Sequence, residues 1–251
     1  MLYNDDVSET YYLGAYWGRR AESAPSCARR NDDLLTCLAS QDPVLQSWRA
    51  IMSEGKEQVI WPEYSIRKIG DLLAASACGS DLTPSNEHAG GYSLSLWNGE
   101  DEQDAVALNI GCGNDSPYVG NSCVFSQLPA LGPSSARLLS VASLVSIVTC
   151  MVRAWEPEWA VVSSHDMRDQ VLLPAGMSAS VGWITYLPVA REAVPPLGPH
   201  IDVMPLASQG VPDYYPRPSH GQEPYPCCCG NTGVVGSTSS RLTCCTRKEA
   251  S

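Results

Sequence analysis

Ser164, His165 and Asp166 stand side by side and supply the residue types of a nucleophile, a base and an orienting acid. Three consecutive residues cannot reach one another in the relay geometry that such chemistry needs, so any catalytic use would require a distant partner. The supply of bases is small: His88, His165, His200 and His220 are the only four histidines. No G-x-S-x-G elbow, H-E-x-x-H pair or phosphate-cradling G-x-x-x-x-G-K-[ST] loop occurs. His165 reads as a loop or helix-capping residue. A denser cluster is Glu100, Asp101, Glu102 and Asp104. It lacks the ligand spacing of a calcium loop, and reads either as a solvated turn or as a charged docking surface for a basic partner. Trp97 ends the strand that enters this turn, on the face opposite Leu94 and Leu96. An aromatic beside charge is a common interface anchor. Trp97, Glu100, Asp101, Glu102 and Asp104 are therefore the candidate contact residues for a protein partner.

Asn109–Asn114, NIGCGN, is similar to the glycine turn of S-adenosylmethionine-dependent methyltransferases, where glycines let the backbone approach the cofactor. That motif needs a helix directly after it and a parallel strand–helix–strand unit, whereas Asp115-Ser116-Pro117 opens a turn. Cofactor binding at Gly111–Gly113 stands as the alternative function. Eleven cysteines are present. Cys27, Cys37, Cys78, Cys112, Cys123 and Cys150 are scattered singly, as small buried hydrophobes are, and Cys227–Cys229 and Cys244–Cys245 crowd together. With no secretory signal in MLYNDDVSET, the expected state is reduced thiol. No C-x-x-C pair exists, so no zinc site, and no other metal or cofactor, is expected.

The elements that must carry these residues are legible from periodicity. Arg153–Ser164, RAWEPEWAVVSS, holds a helix end, a break and a strand start. Pro157 lacks an amide hydrogen and pushes Glu156 out of helical angles, so the apolar helix beginning at Pro133 and Ser134 must stop at Trp155. Trp159–Val162 then reads as a strand buried on both faces. Thr10–Trp17 is rich in aromatic and β-forming residues and predicts the first strand. Ser23 caps a helix to about Ala39, and Asp42-Pro43 opens a second, short helix through Trp48 to about Met52. Residues 53–64 read as a loop and Ser65–Cys78 as a helix. Tyr92–Trp97 and Ala105–Ile110 alternate and predict an antiparallel hairpin whose turn is the acidic cluster. Asn121–Leu128, Ser180–Leu187 and His200–Leu206 supply further strands. The expected class is α+β: a mostly antiparallel sheet packed against helices.

At 251 residues with 44% hydrophobic content, the chain can bury a sizeable core. We read residues 1–210 as one domain. In residues 211–251, Arg217, Arg241, Arg247 and Lys248 outnumber Asp213, Glu223 and Glu249 by one, so a net charge of −11 leaves −12 on the domain. That sign excludes nucleic acid and anionic membrane as expected partners. Leu138–Val152, the longest apolar stretch, falls short of the roughly 20 residues a membrane span needs. The location expected is cytoplasmic. From about Val211 the composition turns to Pro, Gly, Ser, Thr and Cys with no apolar period, which reads as a disordered low-complexity tail or the product of a slipped reading frame.

Several segments in order resemble the immunity protein 52 family of bacterial polymorphic-toxin systems. They are YYLGAYWGRRAES at Tyr11–Ser23, SLSLWNG at Ser93–Gly99, SPYVGNS at Ser116–Ser122, AWEPEWAVVSSHDMRD at Ala154–Asp169 and VGWITYLP at Val181–Pro188, with VPPL at Val194–Leu197. The resemblance runs from about residue 10 to 208. It implies a small cytoplasmic α+β protein, not an enzyme, that binds and neutralises a toxin encoded beside it, commonly a nuclease of restriction-endonuclease-like fold delivered by a secretion system such as type VI. Inhibition by binding needs no nucleophile, and an acidic protein suits the basic cleft of a nuclease.

Overall fold

A computed structural model describes residues 10–51, 57–62, 66–77, 90–101, 103–129, 133–170, 182–190, 201–206 and 238–245. Strand β1 (Tyr11–Trp17) alternates the core-facing Leu13, Ala15 and Trp17 with Tyr12, Gly14 and Tyr16 on the other face. Around it the described strands form one ten-stranded sheet in the order β3-β2-β4-β5-β6-β1-β7-β8-β10-β9. The remaining strands are β2 (Trp48–Ile51), β3 (Glu57–Trp61), β4 (Tyr92–Trp97), β5 (Ala107–Cys112), β6 (Asn121–Gln127), β7 (Trp159–Ser164), β8 (Ile184–Ala190), β9 (Ile201–Leu206) and β10 (Thr238–Cys245). Every pairing among them is antiparallel. With five α-helices among the described residues, the protein is α+β, as its patterning predicts.

Helix α1 (Ala24–Ala39) starts where Ser23 accepts a hydrogen bond from the Ser26 amide, and buries Cys27, Ala28, Leu34, Leu35 and Leu38 at helical spacing. It lies against α2 (Ile66–Ala75) and α4 (Val141–Trp155). On α4, Leu144, Ile147, Val148, Met151 and Trp155 form the buried stripe. Trp155 is fully buried and stacks on Trp17, ring centroids 5.0 Å apart. Helix α4 ends as Pro157 requires: Glu156 turns left-handed at φ 47°, and β7 follows with Ala160–Ser164 all buried. In β4, Tyr92, Leu94 and Leu96 are buried while Ser93 and Ser95 are exposed, so the alternation read from the sequence is the real one.

Five features differ from expectation. The helix expected to run from Pro43 to Met52 is a single 3₁₀ turn, Pro43–Leu45, followed by β2. Asp42 does cap it, but Arg49 and Ala50 pair with Trp97 and Leu96 of β4, and that ladder outweighs local helix propensity. The stretch read as a loop contains β3, which completes the β2 edge. The helix expected over 133–155 is two, α3 (Pro133–Leu138) and α4, because Ser140 leaves helical angles to cap the second. Cys37 and Cys150, expected as thiols, form a disulfide joining α1 to α4 across 113 residues of sequence. Finally, within residues 211–251, Thr238–Cys245 forms β10 and inserts between β8 and β9. Backbone pairing on both sides makes that strand without any apolar period. The rest of that segment lies outside the described residues, as do Ser180 and Val181, the expected start of β8.

Candidate functional site

The β4–β5 hairpin positions the acidic cluster. Asn98 is its hub: buried, its side-chain amide donates to the carbonyls of Asp104 (2.9 Å) and Val44 (3.3 Å), and its carbonyl oxygen accepts from Val106 (2.9 Å) and Glu100 (3.4 Å). Gly99 follows at φ 83°, where a Cβ would stand 2.6 Å from the Arg49 side chain. A turn closed by the Asp104 amide on the Asp101 carbonyl, 2.9 Å, completes the loop. Glu100 and Asp101 are exposed, Asp104 is half-buried, and Glu102 lies outside the described residues. Trp97 is half-buried: Arg49, its partner across the β2–β4 ladder, places its guanidinium 5.6 Å from the ring centroid. The indole Nε1 is buried without a hydrogen-bond partner among the described residues. The structure thus brings Trp97, Glu100, Asp101 and Asp104 to one end of the sheet, held by buried hydrogen bonds.

Close by, Arg137 of α3 reaches back to Asp42 at 2.9 Å and 3.2 Å. This ion pair, with a smaller contribution from the Val44 amide, holds the Asp42 carboxyl below the usual carboxylate range against the opposing effect of burial.

At the opposite end of the same strands lies a second built loop, residues 113–120. Asn121, 1% exposed, accepts from the Asn114 amide at 2.8 Å and donates to the carbonyls of Gly18 (2.6 Å) and Asn114 (3.1 Å). Asn114 in turn accepts from the Ser116 amide at 2.7 Å, and Ser116 Oγ from the Tyr118 amide at 3.2 Å. The sequence carries this loop within SPYVGNS, Ser116–Ser122.

Ser164 Oγ accepts a hydrogen bond from the Met167 amide at 3.1 Å, capping α5 (His165–Gln170); Ser164, not His165, is the capping residue. His165 packs its ring 5.2 Å from that of Tyr12. His88, His200 and His220 lie outside the described residues. Gly111–Gly113 is followed by a turn into antiparallel β6, not by the helix a methyltransferase turn requires. Gly113, at φ 72°, is glycine for packing: a Cβ there would stand 2.8 Å from the Glu22 carbonyl and the Tyr92 ring. Among the described residues, no group of His, Cys, Asp and Glu side chains is arranged to hold a metal ion. No helix among them is long and apolar enough to cross a membrane.

The family model of immunity protein 52 matches residues 9–212. The chain belongs to the immunity protein 52 family. No curated protein matches it. Among solved structures it is similar to the Pseudomonas aeruginosa T6SS protein PA0821, at 10% identity and a TM-score of 0.38, over 62% of this chain and 40% of that one. The chain therefore spans less than half of that protein.

Proposed function

We propose that this immunity protein neutralises a nuclease toxin by stoichiometric binding in the cytoplasm, with the acidic hairpin and Trp97 facing the basic cleft the toxin uses for nucleic acid. The observation that carries the reading is the pair of exposed carboxylates, Glu100 and Asp101, on a hairpin whose backbone Asn98 fixes. A preorganised acidic loop loses little entropy on docking and draws a basic partner at long range. The net charge of −11 acts in the same direction.

The experiment is growth of a host expressing the toxin encoded by the adjacent gene, with and without this protein, followed by co-purification and a plasmid-cleavage assay. Rescue, a stable complex and loss of cleavage at equimolar protein are expected. Rescue with a toxin that leaves nucleic acid intact would keep the immunity role and remove the nuclease. The Cys37–Cys150 disulfide pulls against the cytoplasmic location, since disulfides persist in oxidising compartments. Alkylation of acid-quenched, denatured whole-cell protein decides the point: both cysteines alkylated means a reduced cytoplasmic pool, and alkylation of both only after reduction would move the protein, and the toxin's target, to an oxidising compartment.

A further inference from the structure

Cys37 of α1 and Cys150 of α4 line an open cavity of about 310 Å³ together with Asp33, Thr36, Arg153 and Ala154. That is the small end of the range that small-molecule sites occupy. The two sulfurs of the disulfide are not equivalent. Cys150 is 1% exposed, whereas Cys37 is only partly buried, so a molecule in the cavity reaches Cys37 first. Charge separates the pair in the same direction. Arg153 follows Cys150 by three residues on α4, and Asp33 precedes Cys37 by four on α1, spacings that set each charge on the same helix face as its cysteine. A cation beside Cys150 stabilises a thiolate there, and a carboxylate beside Cys37 opposes one, so Cys150 is the better leaving group. Arg153 forms no ion pair among the described residues, which leaves its charge to the cavity. Cys27, Cys112 and Cys123, the free thiols among those residues, are all buried in the core.

We propose that this cavity is a thiol–disulfide exchange site for a small monothiol of the glutathione kind, attacked at Cys37 with Cys150 leaving. The incoming thiolate bonds to Cys37 Sγ, the Cys37–Cys150 bond breaks, and its electron pair goes to Cys150 Sγ, which takes up the proton that the attacking thiol released to solvent. A second monothiol attacks the small-molecule sulfur of the mixed disulfide and releases Cys37 as a thiol. One protein disulfide and two monothiols thus give two protein thiols and one small-molecule disulfide, the monothiol being oxidised and the protein reduced. The reverse sequence restores the bond, so the covalent tie between α1 and α4 follows the thiol pool around the protein. The toxin takes no part in this chemistry, and its test stands apart from the immunity reading.

The test exposes folded, oxidised wild type to excess reduced glutathione, quenches with acid at short times, blocks free thiols with N-ethylmaleimide and maps the tryptic peptides by mass. Cys37 and Cys150 fall in separate peptides, residues 31–49 and 138–153. We expect glutathione to appear first on 31–49, with maleimide on 138–153. Arg153→Gln should slow the appearance of the 31–49 adduct by about threefold or more at an unchanged melting temperature, and Arg153→Lys should restore the rate. Glutathione on 138–153, equal labelling of the two peptides, or no adduct on either overturns the proposal. An Arg153→Gln rate equal to that of wild type, or a slow rate that Arg153→Lys leaves slow, overturns it as well. Air-oxidised protein that still carries both cysteines as thiols overturns it before glutathione is added.

Discussion

Glu156 shows how single residues are set by the break between α4 and β7. It is the one non-glycine residue at positive φ among those described, where a side chain costs roughly 1–2 kcal/mol. Its carboxylate partly offsets that cost by an ion pair with Arg30 at 3.2 Å. Burial alone would depress the Arg30 guanidinium, but Glu22 at 2.8 Å and Glu156 outweigh it and hold Arg30 above its ordinary value. Arg30 keeps Glu22 when Glu156 is removed, and the Glu156 carboxylate, its side chain 43% exposed, is partly screened by solvent. Glu156→Gly should therefore raise the melting temperature by a few degrees, at roughly 2–4 °C per kcal/mol for a chain of this size. A lower melting temperature would show that the Arg30 contact matters more than the backbone strain. Asp42 gives a pH dependence of defined sign. Its folded-state pKa is depressed, so its contribution is present above the ordinary carboxylate range and fades as pH falls through the lowered value. The melting temperature of wild type should fall on acidification below about pH 4, and Asp42→Asn should flatten that slope. Tyr16 acts at the other extreme: burial first, and Tyr12 nearby, push its phenol up to about 12. The unfolded chain ionises first, so stability is complete below pH 10 and declines as pH rises toward 12.

At the scale of elements, the disulfide between α1 and α4 closes 113 residues of chain, worth about 4–5 kcal/mol in the chain-entropy account. Replacing Cys37 and Cys150 by Ser should lower the melting temperature by roughly 10–15 °C, and reduction should do the same to wild type but nothing to the variant. Equal melting curves for oxidised and reduced wild type would show that helix packing alone holds α1 on α4. This bond also marks what sequence could not deliver. Where burial follows periodicity, as in α1, α4, β1, β4 and β7, the pattern of Leu, Ile, Val and Trp named the element and its inward face. Where an element exists because a distant strand pairs with it, local residues stayed silent: β2 and β3 rest on β4, and β10 rests on β8 and β9. The Cys37–Cys150 pair is invisible for the same reason, its partners being brought together only when α4 folds back over α1. The candidate site divides likewise. The acidic turn was legible because asparagine, glycine and carboxylates concentrate there, but the Arg49 cover on Trp97 needs β2.

For the whole molecule, a net charge of −11 is a long-range field, but at physiological salt its reach is only about 8 Å, so where the carboxylates stand decides what they do. Glu100 and Asp101 stand exposed at the tip of a hairpin, and nearby Arg137 is already engaged by Asp42. Reversing Glu100 and Asp101 to Lys adds two charges at each position and moves the total from −11 to −7. Neither side chain supports the core, so the melting temperature should hold. Association with the toxin should slow by at least about tenfold at low salt, since steering acts on the encounter before any contact forms. The decisive reading is the slope. Wild-type association should fall steeply between low and high salt, while the double-lysine variant should be nearly flat. Parallel slopes would mean that the field steering the toxin comes from elsewhere on the acidic surface, and the hairpin would lose its place in the interface while the net charge kept its role.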